Sequence, residues 1–195
     1  MKTMFKLSFV LAIYTVVACV GLALVYNITA PLIAEAEAKE VRLALAEIFP
    51  EAKDFEEVTG KIESGSGTIV FNKAFVAKSD SGAIGMVVQV TGPTYASATL
   101  LIGVDADRKL KPVKFMALTD TPGLGLKAAQ DPFRGQFTGK SVDDAFTVGS
   151  AKSGADVVAI SGSTITSKGV SKMIKLTGAL AGDYLGKNYS AAAQK

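Results

Sequence analysis

Histidine and tryptophan are absent from the 195 residues, and cysteine occurs once, at Cys19. Without imidazole there is no His-based triad, no His metal ligand and no His proton shuttle. One thiol makes neither an internal disulfide nor a thiolate cluster. A dominant charge is missing too. The formal net charge is +3, and two of the cations, Lys2 and Lys6, precede the first apolar run, so the remainder is nearly balanced. That excludes a nucleic-acid footprint. Native chemistry is left to Ser, Thr, Lys and carboxylates, a gap that an imported cofactor would fill.

What is present begins with Leu7 to Tyr26, 20 residues without a charge and dominated by Leu, Val, Ile, Ala and Phe. At helical rise that length crosses a hydrocarbon core. A cleaved secretory signal, with cleavage after Ala30 or Ala34, is the competing reading, but such signals have shorter apolar regions. Lys2 and Lys6 before the span, and Glu35 and Glu37 as the first charges after it, orient the N-terminus to the cytoplasm and the remainder outside. Cys19 within the span reads as a small packing residue. From Leu32 to Phe49 the chain is rich in Ala, Glu and Leu, with Val41, Leu45 and Ile48 at helical spacing, until Pro50 ends the run. The expected organisation is a membrane anchor over 1–30 (span about 7–26), a helical stalk over 31–50 and a folded domain over 51–195.

Lys61 to Thr68 reads as a loop. Ile69 to Phe71, Ala74 to Ala77, Ile84 to Val90, Thr99 to Val104 and Val113 to Ala117 are β-rich runs separated by turn residues, which predicts an antiparallel meander. Asp105-Ala106-Asp107 lacks the downstream Gly and bidentate Glu of a calcium loop and reads as a hairpin turn. A last helix is expected over Ser167 to Leu185, burying Val170, Met173, Ile174, Thr177, Leu180, Ala181 and Tyr184, with Gly186 at its end and a frayed tail over Ser190–Lys195. The fold class is α+β: an N-terminal transmembrane helix and stalk, then an antiparallel sheet with packed helices.

Two short motifs carry the chemistry. In Ser161-Gly162-Ser163-Thr164-Ile165-Thr166-Ser167 an apolar run stops at a hydroxyl-rich turn just before the last helix. Ser and Thr there are commonly plain N-caps. A helix mouth is also an anion site, because its first N–H groups lack partners and the dipole is positive. The second motif is Asp120-Thr121-Pro122-Gly123-Leu124-Gly125, followed by Phe133-Arg134-Gly135-Gln136-Phe137. Its glycines permit close backbone approach but also mark ordinary turns.

The first motif resembles the Ser/Thr-Gly-Ala-Thr signature of the covalent FMN-binding domain family, and the second resembles that family's Glu-Thr-Pro-Gly-Leu-Gly and aromatic-Gln-Phe segments. Ser163 stands where the family usually has Ala, Val158 where it usually has Asp (Asp156 is the nearest upstream carboxylate), and Asp120 where it has Glu. The resemblance implies a phosphoester between FMN and the Thr164 hydroxyl, made by a flavin transferase. Ser161, Gly162 and Ser163 would flank the anchor, and Thr121, Gly123, Leu124 and Gly125 would border the flavin. With the single span, the Ala-Glu-Ile-Phe-Pro-Glu-Ala segment and the Ile-Gly-Val-Asp strand end, nearly the whole chain resembles the RnfG family of Rnf electron-transport complexes. The NqrC family of the sodium-translocating NADH:quinone reductase is the related alternative.

That resemblance implies an electron-relay component of a complex in the cytoplasmic membrane. It would work with the other Rnf proteins in coupling ferredoxin/NAD electron transfer to Na+ or H+ translocation. No catalytic residue, metal or nucleic-acid partner is expected. Two other classes stay open: a membrane-tethered hydrolase using Ser161 or Thr164 with Lys168, which lacks the Ser-x-x-Lys spacing, and a scaffold without flavin.

Overall fold

The computed structural model describes residues 2–62, 65–80 and 82–189. The tail expected to fray, Ser190–Lys195, lies outside the described residues, as do Glu63 and Ser64 of the expected loop. The chain divides into two compact units, Met1–Leu43 and Ala44–Lys195.

The first unit is helical. Helix α1, Lys2–Ile48, runs unbroken through Pro31. Its large apolar side chains from Met4 to Ile33 are exposed, as expected for a helix whose solvent is lipid rather than water. By length and composition it is the one described helix able to cross a membrane.

The second unit opens with the last turn of α1. The strands follow in chain order: β1 (Asp54–Glu57), β2 (Gly65–Ser66), β3 (Ile69–Ser79), β4 (Gly82–Pro93), β5 (Ser97–Asp105) and β6 (Lys114–Leu118). They form an antiparallel sheet in the order β1-β3-β4-β5-β6, with β2 paired to β3. The expected meander is therefore present as β3 to β6, and β1 is added on its outer edge. Phe71 and Ala74, read as ends of two separate runs, belong to one strand. An irregularity between Phe71 and Lys73 interrupts the alternation there, and such a bulge hides a strand from a period-two reading.

Strands β4 and β5 are buried on both faces, with Met86 to Val88 and Leu100 to Val104 inaccessible where they carry side chains. Fully buried strands read as continuous apolar runs because each face is covered. One face is covered by Ile48 and Phe49, which stand against Gly103 and Gly85 of these strands. On the other, a short helix α2 (Asp131–Arg134) with the flanking 3-10 turns Gly125–Ala129 and Gly135–Phe137, followed by the parallel pair β7 (Val148–Gly149) and β8 (Val157–Val158), adds Phe133, Phe137 and Val157 to the core. The main cover is helix α3, Thr164–Asn188, which packs on β4 and β5. Its Val170, Met173, Ile174, Thr177 and Ala181 are wholly buried. Burying side chains such as Met173 and Ile174 contributes roughly 1.5–3 kcal/mol each. Gly186 does not end α3. The helix continues to Asn188, where the ring of Tyr189 lies 6.3 Å from that of Tyr184. The Asp105 side chain accepts from the N–H groups of Asp107 and Lys109 at 3.0 and 2.9 Å, the geometry of a hairpin turn.

Candidate functional site

The two motifs meet at the N-terminal end of α3. After β6, the run Thr121–Gly125 turns on itself: the Thr121 carbonyl accepts from Leu124 and Leu126, and Gly123 takes φ +76°. After β8, Gly162 takes φ +76° as the chain enters α3. Few residues other than Gly adopt that conformation. Between the two turns lies a cavity of about 460 Å³ lined by Tyr95, by Thr121, Leu124 and Gly125, and by residues 162–166. Of the eight residues singled out from sequence, Thr121, Leu124, Gly125, Gly162, Ser163 and Thr164 line it. Ser161 and Gly123 do not: Ser161 is exposed ahead of the turn, and Gly123 supplies its backbone bend.

Ser163 holds the cap position of α3 without capping it. Its hydroxyl points inward and donates to the Thr166 hydroxyl at 2.9 Å. The turn is closed instead by Ser167, whose hydroxyl donates to the Ser163 carbonyl and accepts from the Ile160 N–H. No acidic residue occupies the first turn. A 25-residue helix thus presents an uncapped, positively polarised end to the cavity. Thr164, the first helical residue, is exposed there, and its hydroxyl makes no hydrogen bond within the described residues. Serine capping, the ordinary reading of this motif, is not what these serines do.

Behind the cavity wall Asp120, only 4% exposed, ties three segments together. Its carboxylate accepts from the Thr94 hydroxyl (2.5 Å), the Ala96 N–H (2.8 Å) and, at 3.4 Å, the Tyr95 N–H, all beyond the end of β4. From α3 it accepts the Thr166 hydroxyl at 2.5 Å. Burial pushes this carboxyl upward, but the hydroxyls of Thr166 and Thr94 and the two N–H groups outweigh it and hold it below the usual range. Gly125 is required here for space: a Cβ would meet Asp120 Cβ at 2.5 Å.

A pH prediction follows from this network. An Asp depressed in the folded state stabilises it above the unfolded value of about 3.9, and that contribution is lost as pH falls through the lower native value. Acid unfolding of the full chain in detergent should therefore be less steep below about pH 4 in Asp120→Asn than in the parent. Identical slopes would remove Asp120 from the stability of the fold.

The rim is apolar. Beyond α1, the exposed large apolar side chains among the described residues are Val70, Tyr95, Leu124, Val158 and Ile165. Three of these line the cavity, and Val158 lies on an adjoining cleft of about 450 Å³ with Lys127, Phe133, Gln136 and Ile160. Gln136 fixes Val158 in the manner of a neighbouring strand, its Oε1 accepting from the Val158 N–H (2.7 Å) and its Nε2 donating to the Val158 carbonyl (3.2 Å). Phe133 and Phe137 on either side are buried, with ring centroids 5.5 Å apart. Asp156, the nearest upstream carboxylate, is exposed and tied to Thr147. Its Oδ2 accepts from both the hydroxyl and the N–H of Thr147, which hold it below the usual carboxylate range.

A pocket of this size with an apolar rim and a few polar groups suits a small organic ligand. The uncapped helix end suits an anionic group on that ligand, and the exposed Thr164 hydroxyl, without a hydrogen-bond partner among the described residues, stands beside it. A flavin phosphate meets these requirements: anion at the helix mouth, ring against the apolar rim. Sequence reasoning missed Tyr95, Ile165 and Thr166. Tyr95 was hidden in a turn, where an exposed aromatic is itself a signal.

Comparison with known proteins gives two family matches: the FMN-binding domain over residues 95–177 and the RnfG N-terminal region over residues 1–48. The chain is 35% identical over 189 residues, 90% of each chain, to the RnfG-type protein of the Na+-translocating ferredoxin:NAD+ oxidoreductase complex of Acetobacterium woodii. It is 29% identical over 179 residues, 89% of each chain, to the corresponding protein of the proton-translocating ferredoxin:NAD+ oxidoreductase complex of Clostridium ljungdahlii. Among solved structures, NqrC of Shewanella oneidensis aligns at 24% identity and a TM-score of 0.47 over 57% of each chain.

Proposed function

The chain belongs to the RnfG family of ion-translocating electron-transport complexes, and from that premise we propose that it carries FMN as a phosphoester on Thr164 and serves as an electron relay between ferredoxin and NAD partners. The observation that carries the reading is the exposed, unpaired Thr164 hydroxyl at the uncapped mouth of α3, inside a cavity built by both motifs. A bound flavin supplies the redox chemistry that no side chain here offers. The chain's own groups position it: α3 N–H groups and dipole on the phosphate, and Tyr95, Leu124 and Ile165 against apolar ring surface.

Attachment would form the Thr164 Oγ–P bond as the P–O–P link of a phosphoanhydride donor of FMN breaks, the departing phosphate of that donor leaving while the Thr164 hydroxyl gives up its proton. The chain places no carboxylate, imidazole or amine among the described residues that line the cavity to take that proton. It has no His, and Asp120 is committed to Thr166, Thr94 and two N–H groups. That lining supports a separate flavin transferase as the partner that makes the bond. The anchor over 1–30, with its N-terminus cytoplasmic by the flanking lysines, the stalk over 31–50 and the flavin domain over 51–195 complete the reading. The complexes of the two relatives move different ions, so membership of the family does not fix Na+ or H+ for this chain.

The test is peptide mapping of the full-length protein after co-expression with a flavin transferase. Flavin phosphate should appear on the tryptic peptide 153–168, and fragmentation should place it on Thr164 rather than on Ser161, Ser163, Thr166 or Ser167. A bare peptide despite verified transferase activity would favour the scaffold, and labelling by a serine-reactive probe would favour the hydrolase.

A further inference from the structure

Buried charges are ordinarily paired, yet Asp120 has only dipoles for company. Its four donors are two hydroxyls and two backbone N–H groups. None of the ion pairs among the described residues includes it. The all-donor surroundings keep it ionised without cancelling its charge. It also lies directly behind the cavity wall. Thr166 lines the cavity and donates to Oδ2, and a Cβ on Gly125, another wall residue, would come within 2.8 Å of that oxygen. A hydroxyl relay from Ser163 through Thr166 ends on it, and such chains polarise cooperatively in a low dielectric.

We propose that Asp120 is the positioning and potential-setting residue of this site: it locks the loop beyond β4 to the first turn of α3, and its uncancelled negative charge makes a flavin held in the cavity harder to reduce. The inference rests on the reading that the flavin sits at Thr164. Each electron entering the flavin adds one negative charge unless a solvent proton accompanies it. A fixed carboxylate one side chain away opposes that charge, and mobile ions screen buried pairs poorly. Protein groups near a flavin tune it in this way, and a purely structural clamp would leave the potential where it was.

The experiment uses full-length, transferase-matured protein in detergent, titrated with dithionite and mediators, with covalent loading measured separately by fluorescence after denaturation. Asp120→Asn, nearly isosteric, should raise the midpoint potential by an amount equal to about a tenfold change in the reduction equilibrium, which is about 59 mV for a one-electron couple. Asp120→Glu, keeping the charge, should stay close to the parent. Thr94→Val, which removes a donor dipole and leaves the charge, should shift the potential the opposite way, and it decides the matter if Asp120→Asn does not fold. A loaded Asp120→Asn protein with the parent's potential overturns this inference alone. A parent without flavin, transferase verified, overturns the flavin reading and this inference with it.

Discussion

Thr164→Ala should abolish covalent flavin and leave the fold in place. In-gel fluorescence of denatured protein should fall to background in this variant, while thermal unfolding stays within about 0.5 kcal/mol of the parent, the usual range for a surface change away from caps and cores. The separation of the two readouts is what identifies an anchor. Thr164 is exposed and its hydroxyl holds no other group among the described residues, so removing it should take away only the proposed attachment point. Thr166→Ala should behave differently. That hydroxyl is buried and bridges Ser163 to Asp120, so its loss leaves a buried carboxylate short of a donor and costs roughly 1–3 kcal/mol. Flavin loading would fall with it, but in proportion to the lost structure. Thr164→Ser, which retains a hydroxyl, should keep part of the signal. If Thr164→Ala stayed fluorescent after denaturation, the anchor would lie elsewhere, with Ser161 and Ser163 next to test.

How far the sequence led can be argued from these same residues. The span, the antiparallel sheet and the buried face of α3 were legible because each depends on a local period: an uncharged apolar run, alternating or continuous β-branched residues, and Val170, Met173, Ile174, Thr177 and Ala181 at helical spacing. The extent of α3 was less legible. Gly186 looks like a stop in isolation, and the helix runs past it to Asn188, where Tyr184 and Tyr189 pack against the core, a tertiary effect that outweighs propensity. Within the site, the glycine turns and Thr164 were readable from motif resemblance. The Asp120 network was not, because its donors come from residues 94–96 and 166, and no local pattern reports a contact across 46 positions. The inward turn of Ser163 escaped for a different reason: its partner is only three positions away, but a serine before a helix looks like a cap until its hydroxyl is seen to face Thr166.

Gly169→Ala should both destabilise the domain and empty the flavin site, although alanine is the better helix former by about 1 kcal/mol. Gly169 lies in the second turn of α3, where a Cβ would stand 2.5 Å from the Pro93 carbonyl oxygen and 2.9 Å from the Thr94 Cα. Both obstacles are backbone, so no rotamer change relieves them. Overpacking of this kind costs roughly 1–3 kcal/mol, occasionally more, and the propensity gain offsets only part of it. Relief requires α3 to lift away from the end of β4, and that motion pulls Thr166 from Asp120, which holds the Thr94–Ala96 loop from the other side. The variant should therefore melt several degrees lower, at about 2–4 °C per kcal/mol for a domain of this size, and lose flavin incorporation even with Thr164 intact. Gly186→Ala is the matched control. Its Cβ meets nothing within 4 Å, so the same change in the same helix should be neutral or stabilise by up to about 1 kcal/mol and leave loading unaltered. Equal melting temperatures for the two variants would mean that α3 is not seated on β4 through Gly169, and the geometry of the cavity mouth would have to be drawn differently.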